Sequence, residues 1–298
     1  MLTSQTHATR HNGSMTGEAL PAPVRWEAWV FAAAGVLAIA VGTVARGFFG
    51  QDWFFTADNL ADSLRLALPF LVAAGVMLGV NRWEPGRSWL VTGAWLLAFH
   101  GVLDVALELQ LAAMANDADV FAATEPWMIA RGVLNGVAQA LGFAALAIGM
   151  WRSPVREWQR IPRWMAVIVA VAMGVAVAGL LAVNFAVASA ADVLTPPVFA
   201  VVVLGGAFVA ATGALAIAGL RAAPRNRPTP ELLIAAGAAI YGLNRGFALW
   251  LFGILPPDNG LLRLAYTDIA DVALLAVAVG FASGALFFER PDDGPVSA

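Results

Sequence analysis

The sequence predicts an all-α integral membrane protein of about eight transmembrane helices, and three observations predict it. Of 298 residues, 60% are hydrophobic and 12% charged, with a mean hydropathy of +0.75, whereas soluble domains carry about a quarter charged residues. The apolar residues gather in stretches of roughly 20. At about 1.5 Å per residue, that length lets a helix cross a hydrocarbon core about 30 Å thick. Finally, arginines and carboxylates alternate between successive connecting segments, as expected of a chain whose positive loops stay in the cytoplasm.

The N-terminal segment 1–24, polar and containing His7, Arg10, His11, Pro21 and Pro23, lacks an apolar core and reads as a disordered cytoplasmic tail rather than a signal peptide. Predicted spans then run over 26–46, 61–80, 89–111, 127–150, 164–188, 197–220, 232–252 and 265–288. Three of them carry start signals. Thr124-Glu125-Pro126, Thr195-Pro196 and Thr229-Pro230-Glu231 each set a hydroxyl just before a proline; proline suits the first turn because its missing N–H has no intrahelical partner there.

Orientation follows from the loops. Arg82 and Arg87, the group Arg152, Arg156, Arg160 and Arg163, and the group Arg221, Arg225 and Arg227 fall on one side, together with Arg25 and Arg290 in the flanks. Asp52, Asp58, Asp117, Asp119, Asp192 and Asp258 fall on the other, with Arg263 as the basic exception. Both termini are therefore expected in the cytoplasm and the chain in the cell inner membrane. Trp83, Trp89, Trp151 and Trp164 cluster near the predicted inner interface, a depth that suits an amphipathic indole.

Sliding the chain along itself until Arg25-Trp26 falls on Arg163-Trp164 also brings Gly142-Phe143 onto Gly280-Phe281, and Arg152 onto Arg290. This predicts a tandem repeat of four-helix units over 25–152 and 164–290, joined by a cytoplasmic linker at 153–163 and followed by a short tail at 291–298. Repeats of an even number of helices share one orientation and are related by an axis along the membrane normal. Glycines four apart, such as Gly132 and Gly136 or Gly242 and Gly246, allow close helix approach; they serve internal packing or an oligomer equally well.

Composition also excludes chemistry. There is no cysteine, hence no disulfide, thiolate metal site or thiol nucleophile. All 17 basic side chains are arginine, which excludes Schiff-base chemistry on a lysine. A net charge of −3 offers no basic surface for nucleic acid. The expected surroundings are a lipid bilayer, and nothing in the sequence names a cofactor.

Ionisable residues inside spans each raise the insertion free energy by about 2.5–3.5 kcal/mol and usually face a bundle interior or a wet cavity. His100, Asp104 and Glu108 recur every fourth residue along the third span, and Arg131, Asn135 and Gln139 along the fourth, so each trio lines one helix face. Tyr241, Asn244 and Arg245 lie in the seventh span, and Asp268 and Asp271 open the eighth. With the orientation above, these groups converge between the midplane and the outer interface, together with Asp58, Asp62 and Arg65 of the second span. The expectation is a polar funnel open to the extracytoplasmic side above an apolar plug.

Two roles are assigned within it. His100, Asp104 and Glu108 are the candidate catalytic set, with His100 oriented by Asp104 for proton transfer. Arg131, Asn135, Gln139, Tyr241, Asn244, Arg245, Asp268 and Asp271 are the candidate ligand-binding set, the two guanidiniums suiting a phosphate or carboxylate. A divalent metal on His100, Asp104 and Glu108 would need carboxylates such as Asp268 or Asp271 from other helices, and no metal is assigned. The structural alternative is that acids and arginines neutralise one another as interhelical pairs.

No motif places the chain in a family. In outline, two four-helix halves, it resembles heme A synthase, which holds its hemes with histidines in both halves; here only His100 lies in a span. Asp58-Asn59-Leu60-Ala61-Asp62 superficially resembles an aspartate-rich prenyl-diphosphate motif, which membrane prenyltransferases keep on the cytoplasmic side, opposite to its expected position here. The functional expectation is an enzyme or binding protein that takes an amphiphilic or anionic small molecule from the outer side. The alternatives are a secondary transporter, proton-coupled through a buried carboxylate, and a membrane sensor or assembly partner.

Overall fold

A computed structural model of the chain describes residues 67–78, 86–114, 120–152, 163–190, 195–223, 230–254 and 260–287. These form seven helices and, among the described residues, no strand: α1 (Ala67–Leu78), α2 (Arg87–Met114), α3 (Val120–Arg152), α4 (Arg163–Ala190), α5 (Pro196–Ala222), α6 (Pro230–Ile254) and α7 (Gly260–Phe287). They coincide with the second to eighth predicted spans. The first span, and with it Asp58, Asp62 and Arg65, lies outside the described residues.

Two of the three expected starts are where the helices begin. Pro196 opens α5 after Thr195, whose backbone is extended (φ −83°, ψ 161°) but whose hydroxyl makes no capping bond; the first turn closes instead through the Phe199 N–H donating to the Thr195 carbonyl at 2.9 Å. Pro230 opens α6. The start expected at Pro126 is overrun, because α3 begins at Val120. Val120-Phe121-Ala122-Ala123 can all be helical, and a proline after them removes one backbone bond, to the residue four earlier, without ending the helix.

Among the described residues, three helical stretches are long and apolar enough to cross a membrane: Ile129–Arg152, Trp164–Ser189 and Pro196–Ala222. The second is the most telling, since only 11% of its span is buried. Val167, Ile168, Val171, Val175 and Val187 are all more than half exposed along it. So long an apolar face is accommodated by hydrocarbon far better than by water, and the fold is accordingly that of an all-α membrane protein.

The bundle is closed by glycines where helices meet. α2 crosses α3 so closely that a side chain on Gly93 would lie 2.7 Å from the Gly142 carbonyl oxygen, and one on Gly149 would meet Leu90. α6 meets α7 in the same manner: a Cβ on Gly237 would lie 2.5 Å from the Ala273 carbonyl oxygen, and one on Gly280 would meet Ile234 and the Pro230 carbonyl. Gly142 and Gly280, which fall on each other in the repeat alignment, thus play the same part in the two pairs. α5 joins the pairs, receiving Gly132 and Gly136 of α3 against Val201 and Leu204 on one side and the Gly219–Ala235 contact with α6 on another.

At the centre Phe143 of α3, Phe208 of α5 and Tyr241 of α6 form an aromatic triangle, with ring centroids 5.5–5.8 Å apart. Below it lies a dry core in which Leu90, Leu146, Leu215, Ile234, Val277 and Phe281 are fully buried. Stiff apolar packing of this kind makes a floor, and the polar residues begin immediately above it.

Candidate functional site

The polar site is built from the facing surfaces of α2 and α3. His100 and Asp104 are one turn apart on α2, and both are buried. Arg131, Asn135 and Gln139 succeed one another at one-turn intervals on α3. Because the helices are antiparallel, the register runs oppositely on the two sides. Arg131 Nε donates to Asp104 Oδ1 at 2.8 Å, and Asn135 Nδ2 donates to the same oxygen at 2.6 Å. One turn further along α3, the Gln139 amide donates to His100 Nε2.

Each contact constrains the chemistry. The contact with the Gln139 amide holds the His100 ring against α3 through Nε2. Asp104 Oδ2 stands 3.7 Å from His100 Nε2, beyond hydrogen-bond reach. The acid–base dyad expected from the His100 and Asp104 spacing is thus a close approach within ion-pair range and not a hydrogen bond. The carboxylate turns to α3, where a guanidinium and an amide give it two short bonds, and Gln139 takes its place as the partner of the ring. Charge-assisted bonds of the Arg131–Asp104 type are roughly twice as strong as neutral ones, which explains the choice. Asn135 Oδ1 is left buried with no hydrogen-bond partner.

α6 and α7 bring the rest of the set to the same place. Tyr241, 1% exposed, has Arg245 above its ring, the guanidinium carbon 5.5 Å from the centroid. Arg245 and Arg131 both lie within electrostatic range of His100, and Asp104 and Asp271 lie within range of Tyr241. Asn244 and Asp271 are buried. Glu108 on α2 and Asp268 on α7 are helical, but their side chains lie outside the described residues. Of the eleven residues expected at the site, the structure thus gathers His100, Asp104, Arg131, Asn135, Gln139, Tyr241, Arg245 and Asp271. Among the described residues no three histidine, aspartate or glutamate side chains converge as metal ligands.

A small cavity of about 10 Å³ lies at the base of the cluster, between Phe70, Leu97, His100, Gln139, Phe143, Tyr241 and Leu274. That is space for about one water, with His100, Gln139 and Tyr241 as polar partners. The apolar wall, with Phe70 and Phe143 in it, was not foreseen. A signal existed in the sequence, since the repeat alignment also sets Phe70 on Phe208 and Gly75 on Gly213.

The same alignment exposes a contrast between the two helix pairs. At the positions of His100 and Asp104, α6 has Ala238 and Gly242; at those of Arg131, Asn135 and Gln139, α7 has Ile269, Ala273 and Val277. Ala238, Ala273 and Val277 are buried. In this register the ladder of α2 and α3 is replaced by apolar residues on α6 and α7, whose own polar groups, Tyr241, Asn244, Arg245 and Asp271, fall at other positions.

No protein-family model, curated protein or solved structure matches the chain.

Proposed function

We propose that the chain is a multi-pass protein of the cell inner membrane, with eight spans in a four-plus-four tandem repeat and both termini cytoplasmic. In this reading it takes an amphiphilic or anionic small molecule from the extracytoplasmic side into the polar site between α2, α3, α6 and α7. The observation that carries the reading is the contrast between the two helix pairs. α6 and α7 have Ala238, Gly242, Ala273 and Val277 at the positions where α2 and α3 have His100, Asp104, Asn135 and Gln139, and Gly237 of α6 packs directly on Ala273 and Val277 of α7, so close approach of such a pair does not require a polar group at these positions. Ionisable residues that each make insertion costlier, and that packing does not need, are retained for what they bind.

Geometry limits how a ligand sits. The cavity beside His100 has room for about a water, so a ligand's polar end would stop at the level of Arg131, Asn135 and Arg245, with its apolar part toward the outer side or the lipid. An anionic end would compete with Asp104 for Arg131, or take Arg245, since both guanidiniums present forked donors. Asn135 Oδ1, already buried and unbonded, would accept from a donor on the ligand. His100, held by Gln139 next to the cavity, is the group placed to exchange a proton with a cavity water.

The test exploits the absence of native cysteine. Single cysteines at Glu108, Asp104, His100, Gln139, Thr92 and Thr212 would be exposed to a membrane-impermeant thiol reagent added from outside. Labelling that weakens with depth and stops at His100 is the expected result. Labelling of Thr92 or of the fully buried Thr212 would mean a path through the plug, and would put a secondary transporter in place of this reading.

A further inference from the structure

In the repeat register α1 corresponds to α5, and the two helices are covered differently. Phe70 and Met77 are buried like Phe208 and Leu215, and Val72 is exposed like Ala210. Three positions break the correspondence. Gly206, Gly213 and Ala216 are buried, whereas Leu68, Gly75 and Leu78, which stand at their places on α1, are exposed, the two leucines at 54% and 58%. What covers the two glycines of α5 is α4. Leu181 of α4 lies against Gly206, and Met173 lies against Gly213, where a Cβ would meet it at 3.0 Å; nothing lies within 4 Å of a Cβ on Gly75.

In the first repeat the place of α4 falls to 26–46, a predicted span outside the described residues. At about 1.5 Å per residue it is long enough to run the length of α1, and Arg25-Trp26 leads into it as Arg163-Trp164 leads into α4. Its residues complement the exposed face. Where α4 sets Leu181 on Gly206, the first repeat has Thr43 and Leu68, so the large partner has changed helices; where α4 sets Met173 on Gly213, it has Gly35 and Gly75. Two glycines at one crossing let backbones approach closely, which is how helices associate where no hydrophobic drive acts between them. We infer, resting on the tandem repeat proposed above, that segment 26–46 docks on the Leu68, Gly75 and Leu78 face of α1 as α4 docks on α5, with Gly35 against Gly75 and Thr43 against Leu68. Gly242, which holds the place of Asp104 on α6, has Met173 of α4 beside it. The docked segment therefore also brings Gly35 beside Asp104 and shields that side of the polar site from lipid.

Crosslinking in the full chain tests this, since no native cysteine interferes. With a protease site inserted between Gln51 and Asp52, membranes carrying Gly35→Cys with Gly75→Cys would be oxidised with copper phenanthroline, cleaved, and run on a denaturing gel without reductant. The two fragments are expected to stay joined, because a disulfide forms only between Cα atoms within about 7 Å. Thr43→Cys with Leu68→Cys should join them too, and decides the matter if the glycine pair does not fold. Gly35→Cys with Val76→Cys should give about a tenth of the yield, since Val76 is turned about 100° from Gly75 and its equivalent Ala214 is exposed. Absence of a link in both matching pairs, or an equal yield at Val76, would overturn the inference. A link between two chains, seen as a dimer before cleavage, would overturn it in favour of a second copy on this face. Met173→Cys with Gly213→Cys is the control, made where the contact is seen. If the control links and the first-repeat pairs do not, the docking fails, while the ligand reading is judged separately by thiol labelling of the polar site.

Discussion

The α2/α3 pair and the α6/α7 pair close over glycines at corresponding positions, Gly142 and Gly280, yet the side chains that face across the two seams differ in kind. In the first pair Asp104 is held by Arg131 and Asn135, and His100 by Gln139. In the second, the corresponding positions hold Ala238, Gly242, Ala273 and Val277, and the polar residues of that pair, Tyr241, Asn244, Arg245 and Asp271, lie elsewhere on the two helices. Close packing in a membrane rests on small residues that let backbones approach, with no hydrophobic drive between helices. Both pairs have that. The polar ladder is an addition to a scaffold that already packs, and the difference separates what holds the helices together from what the helices hold.

The sharpest way to break this comparison is to remove one charge and then both. Asp104→Leu leaves Arg131 facing an apolar side chain and should destabilise the protein by about 3 kcal/mol, as breaking a buried pair does. Adding Arg131→Leu should recover most of that loss, because α6/α7 closes with apolar residues at the corresponding positions. Unfolding in detergent against a denaturant gradient measures both. If the double variant is no more stable than the single, the ladder belongs to the packing after all.

The glycine seams come next. Gly93→Ala and Gly237→Ala each drive a methyl against a carbonyl oxygen of the neighbouring helix, at 2.7 and 2.5 Å, so the helices must part. Each should lose about 2 kcal/mol, within the usual range for overpacking, and by similar amounts if the two pairs are equivalent. A loss confined to one of them would show that the seams are not alike. A smaller effect is expected of Gln139→Val, which copies Val277 into the first pair. It removes the hydrogen bond to His100 and should destabilise by about 1 kcal/mol, while shifting the imidazole resonances in a nitrogen NMR spectrum as Nε2 loses its donor. Unchanged resonances would remove Gln139 from the site.

The smallest effect should have the opposite sign. Nothing lies within 4 Å of a Cβ on Gly174, on the outer face of α4, so Gly174→Ala should stabilise by up to about 1 kcal/mol through helix propensity alone. A destabilisation there would mean that this face is covered in the native assembly.

The helices were legible because hydropathy and proline chemistry are local. Spans expected at 164–188, 197–220 and 232–252 became Arg163–Ala190, Pro196–Ala222 and Pro230–Ile254. The misplaced start at Pro126 has a local cause too: proline is permitted in a first turn but does not require one. The faces of the site were legible for the same reason. One-turn spacing placed His100 with Asp104, and Arg131 with Asn135 and Gln139, before any contact was known.

By itself the sequence determined that this chain is helical, apolar enough for a bilayer, free of thiol and lysine chemistry, and polar on particular faces of particular helices. Each of these depends on composition or on periodicity along one element. Tertiary structure alone decided the pairing: that Asp104 hydrogen-bonds Arg131 and Asn135, that Gln139 meets the imidazole, and that Phe70 and Phe143 wall the cavity beside it. The physical reason is that hydrogen-bond partners are set by the rotation and register of two helices against each other, through glycine contacts of a few ångströms. A periodic pattern specifies which face turns inward, and leaves open which residue on the opposite helix it will meet.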